Sequence, residues 1–388
     1  MAPRDPHISH DSVRPGRAAA FVSAVLMMAI LAGLGGATLW DMLDGPGTER
    51  EERETPTPAL PASLGALKTF AGAAKFYASE RYALKDQFVS LNGAVKLGAF
   101  GHSPYPSVIV GKDGALFTGE DRAVATAMGA PVPAQSSDAA WTALFEDMQA
   151  AFAATGVPIA QILAPDKHTV YADKLPDWLG PSDGARYTGL LAKLRARLTP
   201  APIDLLELFR AARAADPGAA LYHMTDTHWT ERGAALAIDA ALAGLAPVAL
   251  APTRIASVPV HGGDLSRMVG RQQTTEAMAP ELARPPQLDC RTLGGAPYRF
   301  ETLDPLLPLA FTCTNPDAPG GHALVFADSF GIPAAPRLAQ IFSRLDFVKS
   351  DHPDPAIAAR LRLDIAIRIM VGRKLQSEDA ARLLKRTP

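Results

Sequence analysis

The sequence predicts a layered α/β domain carried behind one N-terminal membrane-spanning helix and a polar tether. From about residue 64 onward, short β-like runs alternate with helix-like ones, the pattern of a sheet covered by helices. Residues 18–40 hold no charged side chain at all. With 48% hydrophobic residues over 388 positions the chain can bury a full core, and 38 Lys+Arg against 40 Asp+Glu disfavour a disordered or nucleic-acid-coating protein.

As a helix rising about 1.5 Å per residue, residues 18–40 would reach roughly 35 Å, enough for a hydrocarbon core of roughly 30 Å. Arg4, Arg14 and Arg17 precede the run while Asp41 and Asp44 follow it. Residues 1–17 are therefore expected in the cytoplasm and everything after the helix outside it. The small residues Ala32, Gly33, Gly35, Gly36 and Ala37 leave a cleaved signal peptide as the competing reading, but the apolar run continues to Trp40 and favours a retained signal anchor. Residues 41–63, dense in Glu, Arg, Thr and Pro, read as a flexible solvated tether to a globular domain at 64–388. Only two cysteines occur, which excludes a disulfide scaffold and a Cys-rich zinc site. In an exported domain Cys290 and Cys313 are a candidate disulfide pair, two buried free thiols being the alternative.

Within the domain, Phe70, Tyr77, Leu84, Phe88 and Leu91 fall at near-helical spacing, so 67–97 reads as one or two amphipathic helices. Residues 107–110 and 116–117 flank a Gly-Lys-Asp-Gly turn and predict a hairpin. A helix over 139–155 precedes a buried strand over 157–163, one α/β repeat. Helical character returns at 187–198, another element opens at 203–208, and Thr230 is placed to cap a helix running to Ala241. Residues 247–319 lack sustained periodicity and read as strands and loops inserted ahead of the final sheet strands. The run 323–327 ends at Asp328-Ser329-Phe330-Gly331 before a helix, and 345–348 and 364–370 read as closing strands, with a basic helix-like tail over 374–386.

Two constellations could carry chemistry. In Thr225-Asp226-Thr227-His228-Trp229-Thr230, residues two apart share a face if the segment is extended, so the Asp226 carboxylate can fix the tautomer of His228 and make it a general base. A buried, hydrogen-bonded histidine is the bland alternative. Ser329 follows a strand and precedes a helix, the place where a nucleophile sits exposed at the carboxyl edge of a parallel sheet beside backbone N–H groups. An Asp-Ser helix cap is the competing explanation. Asp166, Lys167 and Tyr171 follow a strand where ligand-binding loops gather, and they and Trp229, next to the base, are candidate substrate contacts; packing is preferred for Trp229.

Together with Phe76-Tyr77, Lys85-Asp86-Gln87, the hairpin Val108 through Phe117, Pro165-Asp166-Lys167, Thr169-Val170-Tyr171, Lys174-Leu175-Pro176 and Val325-Phe326-Ala327-Asp328-Ser329-Phe330, these motifs resemble the alginate O-acetyltransferase AlgX/AlgJ family. The likeness extends from Phe76 to about Leu375. It implies an SGNH hydrolase-like three-layer α/β/α domain with an inserted strand/loop region, and a triad of Ser329, His228 and Asp226 that takes an acetyl group as a serine ester and passes it to a hydroxyl of an exopolysaccharide, alginate-like or other. It also implies a catalytic domain in the periplasm, anchored by a single pass in a bacterial inner membrane, and a multi-pass membrane O-acyltransferase as the partner supplying acetyl groups. Ala327, Ala115 and Lys85 replace a glycine, an aromatic and an arginine usual in the family, and none is a triad member.

Other readings stay open. The same triad could serve a carbohydrate acetyl-esterase, or the domain could be a non-catalytic polysaccharide-binding component of an export complex. His223, Asp226 and His228 could ligate a metal in a hydrolase. The leading expectation is a serine mechanism with no cofactor and no metal.

Overall fold

The computed structural model describes residues 17–44, 58–61, 63–80, 85–127, 130, 134–180, 185–243, 245, 255–271, 275–300, 310–350, 352–377 and 380. The chain divides into two compact units, Met1–Phe88 and Val89–Pro388. The first holds a 28-residue helix, Arg17–Asp44, and a helix at Leu67–Glu80. Side chains of the former are described over 21–37, and nearly all are exposed, Phe21, Leu26, Met27 and Leu31 among them. No helix among the described residues is long and apolar enough to cross a membrane. Most of the expected tether, the first 16 residues and the end of the basic tail lie outside the described residues.

The second unit is built on a sheet of six strands in the order β3-β10-β8-β9-β7-β6. These are β3 (Ile159–Ala164), β6 (Asp289–Thr292), β7 (Ala310–Thr314), β8 (Gly320–Ala327), β9 (Phe342–Lys349) and β10 (Ile365–Val371). The first four in that order run parallel, and β7 and β6 add antiparallel at one edge. A hairpin of β1 (Val108–Val110) and β2 (Leu116–Thr118) and an antiparallel pair of β4 (Ile255–His261) and β5 (Thr275–Leu282) stand apart from this sheet. In the hairpin, Asp113 and Gly114 supply the positive φ that the reversal requires.

The strands β3, β8 and β10 are buried on both sides, as runs of Ile, Leu, Val and Ala in parallel strands require. Alternate residues pack into separate clusters. Ile159, Leu324, Phe326 and Ala366 meet Phe152 of the helix Asp138–Ala154 and Ala358, while Ala160, Val325, Ile367, Leu345 and Phe347 face the helices Glu231–Leu242 and Gly331–Ile341. Phe152 meets Phe326 edge to face at 6.3 Å. Both faces are therefore covered, in a mixed α/β fold. The inserted region divides: β4 and β5 form their own pair, whereas β6 and β7 extend the main sheet. Cys290 and Cys313 are direct cross-strand partners there and are joined by a disulfide, with sulfurs 2.02 Å apart.

Two elements that the sequence left open are specified by the structure. The segment opening at 203–208 is a helix, Leu205–Ala215, capped by Asp204, whose side chain accepts the Glu207 N–H. The predicted first stretch separates into two helices, the second being Lys85–Phe100.

Candidate active site at the carboxyl edge of the sheet

The segment 222–230 is not the extended strand expected for it. Tyr222 and Trp229 pair as an isolated antiparallel bridge, and Thr230 N–H donates to Leu221 O at 2.9 Å, so the residues between form a closed loop. Asp226 and His228 meet because of that turn rather than through strand alternation. One carboxylate oxygen of Asp226 accepts both the His228 backbone N–H at 2.8 Å and its Nδ1 at 2.6 Å, a local side-chain-to-backbone bond of the kind Asp favours. The other oxygen accepts the Asp264 backbone N–H at 2.7 Å. Asp226 is 2% exposed. Thr230 caps the following helix by accepting the Gly233 N–H at 3.2 Å.

Burial opposes charge on Asp226, but the charge and hydrogen bond of His228, helped by His223 and the Asp264 N–H, outweigh it and hold the carboxyl well below the usual range. Burial likewise pushes His228 down, yet Asp226 and then Asp264 push it further up, leaving the imidazole more basic than normal. Its Nδ1 donates to Asp226, and its Nε2 is buried with no hydrogen-bond partner among the described residues.

Ser329 lies where β8 gives way to the helix Gly331–Ile341. Asp328 does the capping there: its carboxylate accepts Phe330 N–H at 2.9 Å and Val371 N–H at 2.9 Å, tying the turn to the end of β10. Neither the hydroxyl nor the backbone N–H of Ser329 has a partner among the described residues. The next residue, Phe330, joins the two constellations. Its ring lies 5.0 Å from the His228 ring, and its carbonyl accepts the Trp229 indole N–H at 2.8 Å.

The candidate substrate contacts are placed differently. Lys167 is 3% exposed, and its ammonium donates to Leu116 O at 2.6 Å, Met224 O at 2.9 Å and Asp226 O at 3.1 Å. It fastens the hairpin to the loop that carries Asp226. Tyr171 is buried and its hydroxyl bridges Ala219 O and Leu221 N. Trp229 is wholly buried, as packing requires. These three are enclosed and committed to backbone, which leaves no face for a polymer; of the four, Asp166 alone is partly open. Its carboxyl is raised to about 6 by burial, against the opposing pull of Arg373.

Two residues here were not singled out from the sequence. Arg373 follows β10, pairs with Asp121 at 3.1 Å and Asp166 at 3.5 Å, and lies 5.4 Å from the centre of the Phe330 ring. Asp264 arrives from the insertion, 38 positions beyond Asp226. The glycine pair before it is the one signal in the sequence: a Cβ on Gly263 would lie 2.2 Å from Asp226 Cβ, so only glycine permits the approach. Ligand atoms of Asp226, His228 and Asp264 lie within 4.8 Å of one another, a spacing compatible with a metal ion, but Asp226 and His228 Nδ1 are already bonded together, and His223 is not of the group.

Residues 108–292 match the family described as SGNH hydrolase-like domain, acetyltransferase AlgX. A Pseudomonas aeruginosa protein named "Probable alginate O-acetylase AlgJ" is 28% identical over 289 residues, covering 71% of this chain and 68% of that protein. Residues 108–292 belong to the AlgX/AlgJ family. The matched family region runs from β1 to β6 and contains Asp226, His228 and Asp264, with Ser329 beyond it. In fold, the chain is like a DHHW family protein from Eubacterium siraeum, 15% identical with a TM-score of 0.50, over 64% of this chain and 89% of the other. It is similarly like Bacillus cereus PatB1 with a sulfonyl adduct, 14% identical with a TM-score of 0.50, over 70% and 97% of the two chains.

Proposed function

We propose that this chain is an extracytoplasmic O-acetyltransferase that moves an acetyl group through Ser329 onto hydroxyls of a polysaccharide. The observation that carries the reading is that Phe330, the residue after Ser329, lies 5.0 Å ring to ring from His228, whose Nε2 has no hydrogen-bond partner among the described residues. Ser329 Oγ attacks the acetyl carbonyl of an ester donor while His228 Nε2 takes its proton and the Ser329 N–H meets the developing oxyanion. The imidazolium, stabilised by Asp226, returns that proton to the departing alcohol. A sugar hydroxyl then attacks the acetyl-serine, His228 accepts its proton and passes it to Ser329 Oγ, and the acetylated sugar leaves. Family membership supports acetyl transfer, and the relative named for alginate O-acetylation supports a polysaccharide acceptor.

The uncharged stretch 18–40 within the helix Arg17–Asp44 supports a single-pass anchor, with Arg17 on the cytoplasmic side and the catalytic unit in the periplasm. The proposed acetyl source is a multi-pass membrane O-acyltransferase, as the family resemblance implies.

The test is intact-mass spectrometry of the full chain after exposure to an activated acetyl ester, with and without oligosaccharide acceptors. One acetyl on the wild type, absent from Ser329→Ala and transferred to sugar, is expected. An adduct lost only to water would replace the transferase with an esterase, and no adduct at all would overturn the serine mechanism.

A further inference from the structure

We propose that Asp264, delivered to the site by the segment between β4 and β5, is a positioning residue of the triad: its backbone N–H orients the Asp226 carboxylate, and its side chain places a second negative charge behind His228. The inference rests on the serine-triad reading and assigns that site a fourth member.

The geometry is specific. The N–H of Asp264 donates to the Asp226 oxygen that His228 does not use, so both oxygens of the triad acid are engaged and its rotamer is held. The Asp264 carboxylate accepts Thr227 N–H at 2.8 Å, the Thr227 hydroxyl, and Leu265 N–H at 2.6 Å. Thr227 lies between the triad acid and base, so this clamp sets the loop that carries both. One Asp264 oxygen is 3.9 Å from His228 Nδ1, with no closer bond to it. It therefore acts on the imidazole through charge while Asp226 acts through a direct hydrogen bond. Gly263 lets the backbone come this close.

Every charged group facing the pair bears on the outcome. Asp226 and Asp264 lie on the Nδ1 side of His228, while the charge of Arg373 acts against them. His223 and the Lys167 ammonium face Asp226. Arg267, on the same short helix as Asp264, points its guanidinium at Gly262 O, 3.4 Å away. Burial, then the charge of Asp226, raises the Asp264 carboxyl to about 6, so it is charged at neutral pH and loses its charge in mild acid.

The experiment compares wild type, Asp264→Asn, Thr227→Val and Ser329→Ala in hydrolysis of p-nitrophenyl acetate from about pH 5 to 9, with thermal melting as the folding control. Asp264→Asn keeps the N–H to Asp226 and removes the charge. We expect kcat to fall about five- to tenfold with KM unchanged, because Asp264 does not touch substrate. The acid limb of kcat/KM should move to lower pH, because a less negative surrounding makes His228 less basic. A merely structural residue would leave that limb in place. Should Asp264→Asn fail to fold, Thr227→Val decides: it removes the hydroxyl bond that holds the Asp264 oxygen not bonded to backbone and should lower kcat with little change in melting. A wild-type rate and limb in Asp264→Asn, or a wild-type kcat in Thr227→Val, overturns the positioning role. Activity surviving in Ser329→Ala instead removes the serine reading itself, whatever Asp264 does.

Discussion

Strand β8 has a histidine–carboxylate pair near its start and the candidate nucleophile just past its end. His322 Nε2 meets Asp346 at 2.6 Å, the same separation as His228 Nδ1 and Asp226. Both pairs are largely enclosed. The difference is in the second ring nitrogen: His322 Nδ1 is 3.1 Å from Arg362 O, whereas His228 Nε2 has no partner among the described residues. Asp346 is also shared among His322, Thr312 and Arg344, a network that closes on itself. A histidine beside a carboxylate is thus a structural tie when both nitrogens are bonded and is available as a base when one is left open.

Removing parts of the two pairs should separate them sharply. Ser329→Ala and His228→Ala should each lower acetyl-ester turnover about a thousandfold or more, with the acyl adduct lost on mass spectrometry. Asp226→Asn should follow at roughly 10²- to 10⁴-fold in kcat, because the amide cannot hold the required tautomer or stabilise the imidazolium. In the wild type, kcat/KM should rise with pH through a value above ~6.5, since only neutral His228 accepts a proton and its pKa is raised; a limb lying lower would contradict the geometry.

Lys167→Met should cost stability and rate together. It strands the Leu116 and Asp226 carbonyls, Met224 O keeping the Leu116 N–H, at about 2–4 kcal/mol by chemical denaturation, with kcat falling more than KM rises. His322→Ala is the smallest: about 1–2 kcal/mol of stability and wild-type turnover. Its cost should depend on pH in one direction. Burial works against charge on Asp346, but the bonds from His322 and Thr312 and the charge of Arg344 hold its carboxyl below normal. The stability it contributes is present above the unfolded carboxylate value of about 3.9 and is lost as pH falls through the folded value. His322→Ala should therefore flatten the acid end of the stability curve, and an unchanged curve would show that the pair contributes nothing.

The contrast also shows what a sequence can display. Asp226 and His228 were legible because a local turn joins residues two apart, and Ser329 because a strand, a polar pair and a glycine mark a strand-to-helix turn. The alternation of β3, β8, β9 and β10 with helices was legible for the same reason, their periodicity being local. Lys167 was found by position but misjudged in role, since burial depends on β2 and the loop at 224–226 closing over it. Asp264 and Arg373 were not seen: one comes from an aperiodic insertion and the other from beyond β10, and only tertiary folding brings them to His228 and Phe330.

The place of β10 in the sheet also governs how the domain comes together. It is the last strand in chain order among the described residues, yet it sits between β3, formed some two hundred residues earlier, and β8. Such long sequence separations slow folding, because the loop between paired strands must close before the contacts that hold it exist. Until residues 365–371 arrive, β3 has no neighbour in the sheet, and Asp328 lacks the Val371 N–H that ties down the turn at Ser329. A chain emerging N-terminus first therefore acquires the turn that carries Ser329 among its final acts of folding.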